Sequence, residues 1–331
     1  MMNRIGIIGA GSWGTALAML LNKNKHKVTV WSWDPAQIEI INHTHHNEAF
    51  IHDVRLPESI KFTDKLSFLS NCNVIILSVP SHATGEVCAK IKPYISKDAI
   101  LVNTAKGFEV GTSRRLSEVV NEYFPQNPFV VLSGPSHAEE VVAEMPTFVT
   151  AAGCDSNANM FIQSIFSNKY FRVYTSGDLC GVEIGGAVKN VIALAAGISE
   201  GLGFGDNAKA ALIARGLAEI TRLGIKMGGK RETFFGLSGV GDLQVTCGSI
   251  HSRNRRAGIA IGKGIPVKKV LSDMGMVVEG INAVYCTYAL AQKYDIYMPI
   301  TTQLYNIIEN GKKPRTAFDN LMKSDLRGEE E

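Results

Sequence analysis

The stretch RIGIIGAGSWGTALAMLLNK, residues 4–23, decides the fold of this chain. An apolar run at 4–9 predicts a buried strand, and the spacing of apolar residues over 13–21 predicts a helix. A second apolar run follows at 28–31. Strand, helix and strand in this order are the repeating unit of a parallel sheet, so the stretch indicates an α/β fold.

Three glycines, Gly9, Gly11 and Gly14, form a G-x-G-x-x-G pattern between the first strand and the helix. The first permits a tight turn, the second lets the backbone approach a pyrophosphate, and the third lets helix and strand pack closely. The start of the helix then offers free N–H groups to the phosphates. A pattern in this position predicts dinucleotide binding.

Five further apolar runs have the length of buried strands: 74–79, 100–103, 129–132, 148–151 and 171–174. Together they predict a Rossmann-type, doubly wound and mostly parallel sheet with its ligand crevice at the carboxyl ends of the strands. Beyond residue 178 helical patterns replace strands, at 208–224, 252–262, 279–293 and 300–310. We therefore expect a dinucleotide-binding domain at 1–178 and an all-α-helical substrate domain at 179–331.

Composition excludes several classes of protein. The net charge of +3 over 331 residues gives no general attraction to nucleic acid or to a membrane. Six dispersed cysteines without a CxxC pair predict reduced thiols in a cytoplasmic protein. We expect neither a leader nor a membrane-spanning segment, and a solvated, frayed end at 325–331.

The stretch IGGAVKNVIALAAGIS, residues 184–199, contains one charged residue, Lys189. An unpaired ammonium is expensive to bury in such surroundings. Burial would lower the pKa of Lys189 and make it a proton shuttle near neutral pH. The alternative is a lysine that reaches the surface from an amphipathic helix. Asp178 is placed to cap this helix.

The second strand ends at Trp33-Asp34, where dinucleotide-binding proteins contact the adenosine ribose. Asp34 could accept a hydrogen bond from a 2′-hydroxyl, which favours NAD, and no arginine follows in this turn to bind a 2′-phosphate. Alternatively Asp34 only caps the helix that starts at Pro35.

Two loops follow predicted strands at the carboxyl edge of the sheet. Residues 79–82 (VPSH) would lie over the nicotinamide half of a dinucleotide, and residues 103–107 (NTAKG) carry Lys106. Lys106 is either a substrate contact or a solvated loop lysine. Asp242, in the glycine-rich stretch 239–242, is either a turn residue or a charge partner that orients Lys189.

The densest basic cluster, 252–256 (SRNRR), predicts an anion site at a helix start. Ser252 would cap the helix, and Arg253 and Asn254 would lie in its first turn, where N–H groups and a guanidinium suit a phosphate. We expect Arg255 and Arg256 to face solvent. The histidines at 43, 45 and 46 lack partners with ligand spacing, so we expect no metal.

Several segments together resemble the bacterial form of the NAD(P)-dependent sn-glycerol-3-phosphate dehydrogenase family. They run in order along the chain: GAGSWGTALA (9–18), NTAKG (103–107), SGPSHAEE (133–140), GGAVKNVIALAAGISEGLGFGDNAKAALIARGLAE (185–219), GVGDLQVTC (239–247), SRNRR (252–256) and VVEG (277–280). The resemblance implies interconversion of sn-glycerol 3-phosphate and dihydroxyacetone phosphate, in a dimer that feeds phospholipid synthesis.

The resemblance also implies roles for individual residues, with Lys189 as the general acid and base. The catalytic and substrate positions are Lys106, Gly134, Ser136, Lys189, Asn190, Asp242, Thr246, Ser252, Arg253 and Asn254. The positions around the NAD or NADP cofactor are Gly9, Gly11, Ser12, Trp13, Gly14, Trp33, Asp34, Lys106, Ala138, Arg253, Val277 and Glu279. Trp33 occupies the position at which the family often has His or Arg, which puts an inherited NADP preference in doubt.

Two other functions remain possible on the sequence alone. One is another dehydrogenase of the same architecture, such as a 3-hydroxyacyl or 6-phosphogluconate enzyme. The other is a non-catalytic protein that senses the cofactor. The long match at 185–219 argues against the first, and the presence of Lys189, Asp242 and Arg253 argues against the second.

Overall fold

A computed structural model describes residues 2–275, 277–323 and 328. The expected frayed end at 325–331 lies outside the described residues, Gly328 apart. The strands are β1 (Arg4–Ile8), β2 (Lys27–Trp31), β3 (His46–Asn47), β4 (Ile51–Arg55), β5 (Lys61–Thr63), β6 (Val74–Leu77), β7 (Ile100–Asn103), β8 (Phe129–Ser133), β9 (Thr147–Ala152) and β10 (Phe171–Ser176).

Helices connect the strands and then make up the rest of the chain. Those of the first half are α1 (Ser12–Lys23), α2 (Pro35–Thr44), α3 (Thr84–Ile91), α4 (Leu116–Tyr123), α5 (Ala138–Val142) and α6 (Ser156–Phe166). Those of the second half are α7 (Leu179–Gly201), α8 (Asp206–Lys226), α9 (Arg231–Phe234), α10 (Asp242–Gly248), α11 (Arg253–Gly262), α12 (Val267–Met274), α13 (Glu279–Tyr294), α14 (Pro299–Ile308) and α15 (Pro314–Met322).

The main sheet has the strand order β10-β9-β8-β7-β6-β1-β2-β5. All neighbouring strands are parallel except β8 and β9, which pair antiparallel. From β1 the chain builds one side of the sheet through β2 and β5, then crosses to β6 on the other side. The loops after β1 and β6 therefore diverge and leave a crevice at their carboxyl ends. The predicted Rossmann-type sheet with a helical second half is confirmed.

The strands and helices predicted from the sequence are all present, with ends that differ by a few residues. The sequence analysis missed the β3–β4 hairpin and the short edge strand β5. These are short and partly polar, so they lack the apolar run that marks a buried strand. The domain boundary at residue 178 stays a prediction; β10 ends at Ser176 and α7 begins at Leu179.

Helix α7 is the core of the second half of the chain, and Asp178 caps it by accepting a hydrogen bond from the backbone N–H of Gly181 at 2.9 Å. In length and composition α7 could cross a membrane, but 89% of its most apolar 18-residue stretch is buried inside the protein. It is therefore packed as the core helix of a folded domain is, with neighbours on every face.

Glycines on α7 let other segments approach its backbone. A Cβ at Gly197 would lie 2.1 Å from the carbonyl oxygen of Arg255, and one at Gly258 would lie 2.2 Å from that of Leu194. Since no side chain fits between them, α7 and α11 pack backbone to backbone. This contact joins α11 to the C-terminal part of α7, and a hydrogen bond from Asn254 to Asn190 brings the start of α11 next to Lys189.

A buried carboxylate joins α7 to the sheet half of the molecule. Glu183 accepts hydrogen bonds from the backbone N–H of Ser117 at 2.8 Å and from its hydroxyl at 2.6 Å. The Arg115 guanidinium donates a further bond to Glu183 at 3.0 Å. Because Ser117 lies in the first turn of α4, the carboxylate also balances the positive end of that helix.

Candidate active site

The glycine-rich turn after β1 is tightly enclosed on one side. Gly9 has a φ of +113°, and a Cβ there would lie 2.4 Å from the Ser78 carbonyl oxygen in the loop after β6. A Cβ at Gly14 would lie 2.0 Å from the Gly9 carbonyl oxygen. Both positions are thus required to be glycine by the protein's own packing.

Gly11 differs from these two glycines because a Cβ there would meet no atom within 4 Å. No atom of the described residues fills this space, which lies directly before the free N–H groups at the start of α1. A bare backbone facing open space at a helix start suits a pyrophosphate. Ser12, the first residue of α1, donates its hydroxyl to the Phe50 carbonyl oxygen at 2.9 Å, which fixes this end of the helix.

At the end of β2 the Asp34 side chain caps α2 by accepting from the backbone N–H of Ala36 at 2.9 Å. Capping uses one carboxylate oxygen, and Asp34 stays partly exposed. Trp33 beside it is 79% exposed, so its ring is available to a ligand. The ribose contact of Asp34 stays a prediction.

Lys189 is buried and does not reach the surface; the residue is 5% exposed. Its ammonium contacts the Asp242 carboxylate and donates to the Thr246 hydroxyl at 2.7 Å. Lys106 binds the second oxygen of Asp242 at 2.7 Å. One carboxylate from α10 is therefore shared by lysines from two other segments.

This cluster changes the protonation chemistry of its members. Burial lowers the pKa of Lys189 to about 7; Asp242 opposes the shift and the positive Lys106 adds to it. Burial also disfavours an ionised Asp242, yet Lys106 and Lys189 together hold the pKa of that carboxyl below its usual value. Near neutral pH the cluster thus contains a fixed carboxylate and a lysine that can gain or lose a proton.

Local structure explains why Asp242 reaches Lys189. The glycine-rich stretch forms a π-helical turn (Leu237–Gly241) that leads directly into α10 at Asp242. A Cβ at Gly185 of α7 would lie 2.7 Å from the Ser238 carbonyl oxygen in that turn. Because the turn touches the α7 backbone one helical turn before Lys189, it delivers the carboxylate to the lysine.

Lys106 also joins the cluster to the loop after β8. Its ammonium donates to the Gly134 carbonyl oxygen at 2.8 Å, and the Ser136 hydroxyl donates to the same oxygen at 2.9 Å. Gly134 has a φ of +142°, and a Cβ there would lie 2.9 Å from the Cα of Val149. The predicted substrate positions Gly134 and Ser136 are therefore brought to Lys106 and Asp242.

A chain of amides connects three further segments. The Asn254 side chain donates to the Asn190 side-chain oxygen at 2.8 Å and accepts from the backbone N–H of Gly280 at 2.9 Å. Asn190 in turn donates to the Lys106 carbonyl oxygen at 3.3 Å. Asn254 is thus engaged within the protein on both its oxygen and its nitrogen, which leaves one N–H for a ligand.

The start of α11 has the geometry of an anion site. Ser252 caps the helix by accepting from the backbone N–H of Arg255 at 3.2 Å, as predicted. The Arg253 guanidinium makes no hydrogen bond or ion pair with another described residue. A helix start beside an unengaged guanidinium favours a phosphate.

The expectation that Arg255 faces solvent is wrong. Its guanidinium binds the Glu200 carboxylate of α7 at 2.6 and 3.0 Å, and its side chain is 13% exposed. Arg255 is drawn inward because α11 packs directly on α7, a contact that sequence spacing does not reveal. Arg256 is exposed, as expected.

Glu279, at the start of α13, reaches back to the loop after β6. It accepts from the Ser81 backbone N–H at 3.1 Å and from the Ser81 hydroxyl at 2.7 Å. The VPSH loop thus contacts a predicted cofactor position directly. Ala138 is buried at the start of α5 and Val277 is partly buried before α13; their contacts with a cofactor stay predictions, as does that of Trp13.

The sequence analysis missed two polar side chains at this site. Ser81 was named only as part of a loop, and its bond to Glu279 spans 198 residues. His137, between the predicted Ser136 and Ala138, carried no signal of its own. Among the described residues no group of three or more His, Cys, Asp or Glu side chains could hold a metal ion.

Two family models together match most of the chain. One, described as NAD-dependent glycerol-3-phosphate dehydrogenase N-terminus, matches residues 4–159, and its C-terminal counterpart matches residues 178–319. A glycerol-3-phosphate dehydrogenase [NAD(P)+] of Lysinibacillus sphaericus is 50% identical over 97% of this chain and 96% of its own. The Bacillus subtilis protein of that description is 51% identical over 97% of this chain and 94% of its own.

Solved structures agree with these matches. The crystal structure of glycerol-3-phosphate dehydrogenase from Coxiella burnetii is 40% identical, covers 98% of this chain and 99% of its own, and has a TM-score of 0.94. A D-mandelate dehydrogenase shares the fold alone, at 13% identity and a TM-score of 0.61 over 95% of this chain.

The different surroundings of Gly11 and Gly14 predict different outcomes for the same substitution. Gly11→Ala should leave the free energy of unfolding within about 1 kcal/mol of wild type and weaken NADH binding at least about tenfold, because the added methyl enters the space for the pyrophosphate. Gly14→Ala should unfold the protein at lower urea, because its methyl collides with the Gly9 carbonyl. Urea titration and NADH fluorescence measure the two effects. Tight NADH binding by a folded Gly11→Ala variant would contradict the assignment.

Proposed function

The chain belongs to the NAD-dependent glycerol-3-phosphate dehydrogenase family and is an NAD(P)-dependent oxidoreductase, and from this premise we propose that Lys189 is its general acid and base. The reaction interconverts sn-glycerol 3-phosphate and dihydroxyacetone phosphate. The observation that carries the proposal is the buried Lys189 ammonium in contact with Asp242, with its pKa lowered to about 7.

The dinucleotide, when bound, supplies or takes up the hydride. Lys189 donates its proton to the C2 oxygen of dihydroxyacetone phosphate as the ketone is reduced, and removes it when the alcohol is oxidised. An ammonium at this oxygen also stabilises the negative charge that develops on it. Asp242 and Thr246 hold the lysine in place, and the Asp242 carboxylate offsets part of the buried positive charge.

The substrate phosphate binds at the start of α11, where the Arg253 guanidinium makes no hydrogen bond or ion pair with another described residue. Ser252 and Asn254 are fixed around this position by their own hydrogen bonds. Binding energy collected at the phosphate orients the carbon that exchanges hydride, which lies within reach of Lys189. Lys106 and the loop of Gly134 and Ser136 line the remaining side of the substrate.

The location of the enzyme, its role in the cell and its oligomeric state belong to the same proposal. The enzyme works in the cytoplasm and supplies glycerol 3-phosphate for phospholipid synthesis. It forms a homodimer, as its family commonly does. Size-exclusion chromatography with light scattering distinguishes a dimer from a monomer of 35.9 kDa.

Lys189 should control both the rate and the pH dependence. In reduction the protonated lysine is required, so kcat/KM for dihydroxyacetone phosphate should be flat below about pH 7 and fall above it. In oxidation the neutral lysine is required, so kcat/KM should rise up to about pH 7 and then level. Lys189→Met should lower kcat by about 10²–10⁴-fold and abolish both inflections, with NADH binding preserved.

The matched control is Lys226→Met, at the exposed end of α8, which should behave as wild type. Near-normal turnover by Lys189→Met would overturn the assignment of the acid and base.

Arg253 should bind the phosphate. Arg253→Ala should raise KM for dihydroxyacetone phosphate about ten- to a hundredfold, the loss expected for a hydrogen bond to a charged group, with a smaller effect on kcat. Arg256→Ala, on the same helix but exposed, is the control and should leave KM unchanged. An unchanged KM in Arg253→Ala would count against phosphate capture at α11.

Asp34 should favour NADH over NADPH, because its carboxylate would repel a 2′-phosphate. Asp34→Asn keeps the helix cap but removes the charge. The ratio of kcat/KM with NADPH to that with NADH should therefore rise about fivefold, equivalent to about 1 kcal/mol of repulsion at an exposed site. A strong NADPH preference in the wild-type enzyme would refute this reading of Asp34.

A further inference from the structure

His137 is a polar side chain at the site that the mechanism above does not use. It lies directly before α5, three residues after Gly134, whose carbonyl oxygen binds Lys106. The Nε2 atom of His137 is shut off from solvent and has no hydrogen-bond partner among the described residues. Buried polar atoms are nearly always paired, so an unpaired one beside a binding site points to a ligand as the missing partner.

Burial is the main reason that the His137 ring favours its neutral form at pH 7. Burial lowers its pKa, and the positive charges of Lys189 and Lys106 lower it further, against the opposing effect of Glu139 and Glu140. A neutral imidazole carries one N–H donor and one acceptor nitrogen. Since Lys189 and Lys106 are close enough for their positive charges to act on His137, they favour an anion rather than a cation near its ring.

A second histidine places His137 at the phosphate end of the site. The His251 ring lies 5.8 Å from the His137 ring, centroid to centroid, at an angle of 52°. His251 is adjacent to Ser252, the cap of α11, and two residues before Arg253. The two rings thus approach each other from the β8–α5 and α10–α11 connections, beside the helix start that would hold the phosphate.

We propose that the partly exposed His137 ring rotates slightly when substrate binds, so that its Nε2–H donates a hydrogen bond to the substrate phosphate, with His251 flanking it. His137 is then a determinant of specificity for phosphorylated substrates. The inference rests on the proposed function, because it takes the phosphate to lie at the start of α11. His137 adds a phosphate contact from the sheet half of the molecule to the contacts on α11. The phosphate is then held from both sides of the cleft, and substrate binding joins the two halves.

The test compares three replacements of His137 with wild type. His137→Phe keeps a flat ring without a donor, His137→Gln places an amide nitrogen near the Nε2 position, and His137→Asn reaches only the Nδ1 position. We expect His137→Phe and His137→Asn to raise the KM for dihydroxyacetone phosphate by about tenfold or more. The inhibition constant of inorganic phosphate should rise in parallel. Gln should stay within about threefold of wild type, because it retains the donor.

NADH fluorescence titration checks that cofactor binding is unchanged in each variant, and His52→Phe, on exposed β4, is the control. A wild-type KM in a folded His137→Phe variant would overturn the inference. An equal rise of KM in His137→Phe and His137→Gln would also overturn it, because that result indicates a packing role for the ring. A raised KM with an unchanged phosphate inhibition constant would assign His137 to another part of the substrate. Wild-type enzyme that does not reduce dihydroxyacetone phosphate would instead refute the proposed function.

Discussion

The buried ammonium of Lys189 is the constraint on which the arrangement of the second half of the chain depends. An isolated charge is strongly disfavoured in such surroundings, so Lys189 requires a carboxylate at contact distance. Asp242 meets the requirement and is shared with Lys106, which in turn binds Gly134. The neutralisation of one lysine therefore fixes the relative positions of α7, α10 and two loops at the edge of the sheet.

Close approach of backbones makes this electrostatic arrangement possible. On α7, Gly185 admits the turn that carries Asp242, Gly186 admits the Ser133 side chain at the end of β8, and Gly197 admits α11. A Cβ added at any of these three glycines would lie less than 3.0 Å from the neighbouring segment, which is too close for a side chain. With larger residues at these positions the neighbouring segments could not approach α7 as closely as they do.

The sequence predicts features that a few neighbouring residues determine. The turn at Gly9–Gly14 and the caps Asp178 and Ser252 are of this kind, because spacing and hydrogen-bonding capacity specify them locally. Arg255 was misjudged because its partner Glu200 lies on another helix, 55 residues away. His137 was missed for the same reason: its significance comes from an unpaired atom and from charges on other segments. The resemblance to a family identified most site residues, but not the contacts among them.

In the proposed mechanism the charge of the cluster would link substrate binding to the protonation of Lys189. Two lysines share one carboxylate, so a protonated Lys189 leaves an excess positive charge that contributes to the lowering of its pKa. A phosphate dianion bound at α11 would bring opposite charge close to this excess and thereby raise the pKa of Lys189. Binding of dihydroxyacetone phosphate would then favour the protonated Lys189, which is the acid in the proposed mechanism. By linkage, free enzyme in which Lys189 is protonated would bind the phosphorylated substrate more tightly than enzyme in which Lys189 is neutral. In the proposed mechanism the substrate's own phosphate would thus prepare the acid that protonates its ketone oxygen.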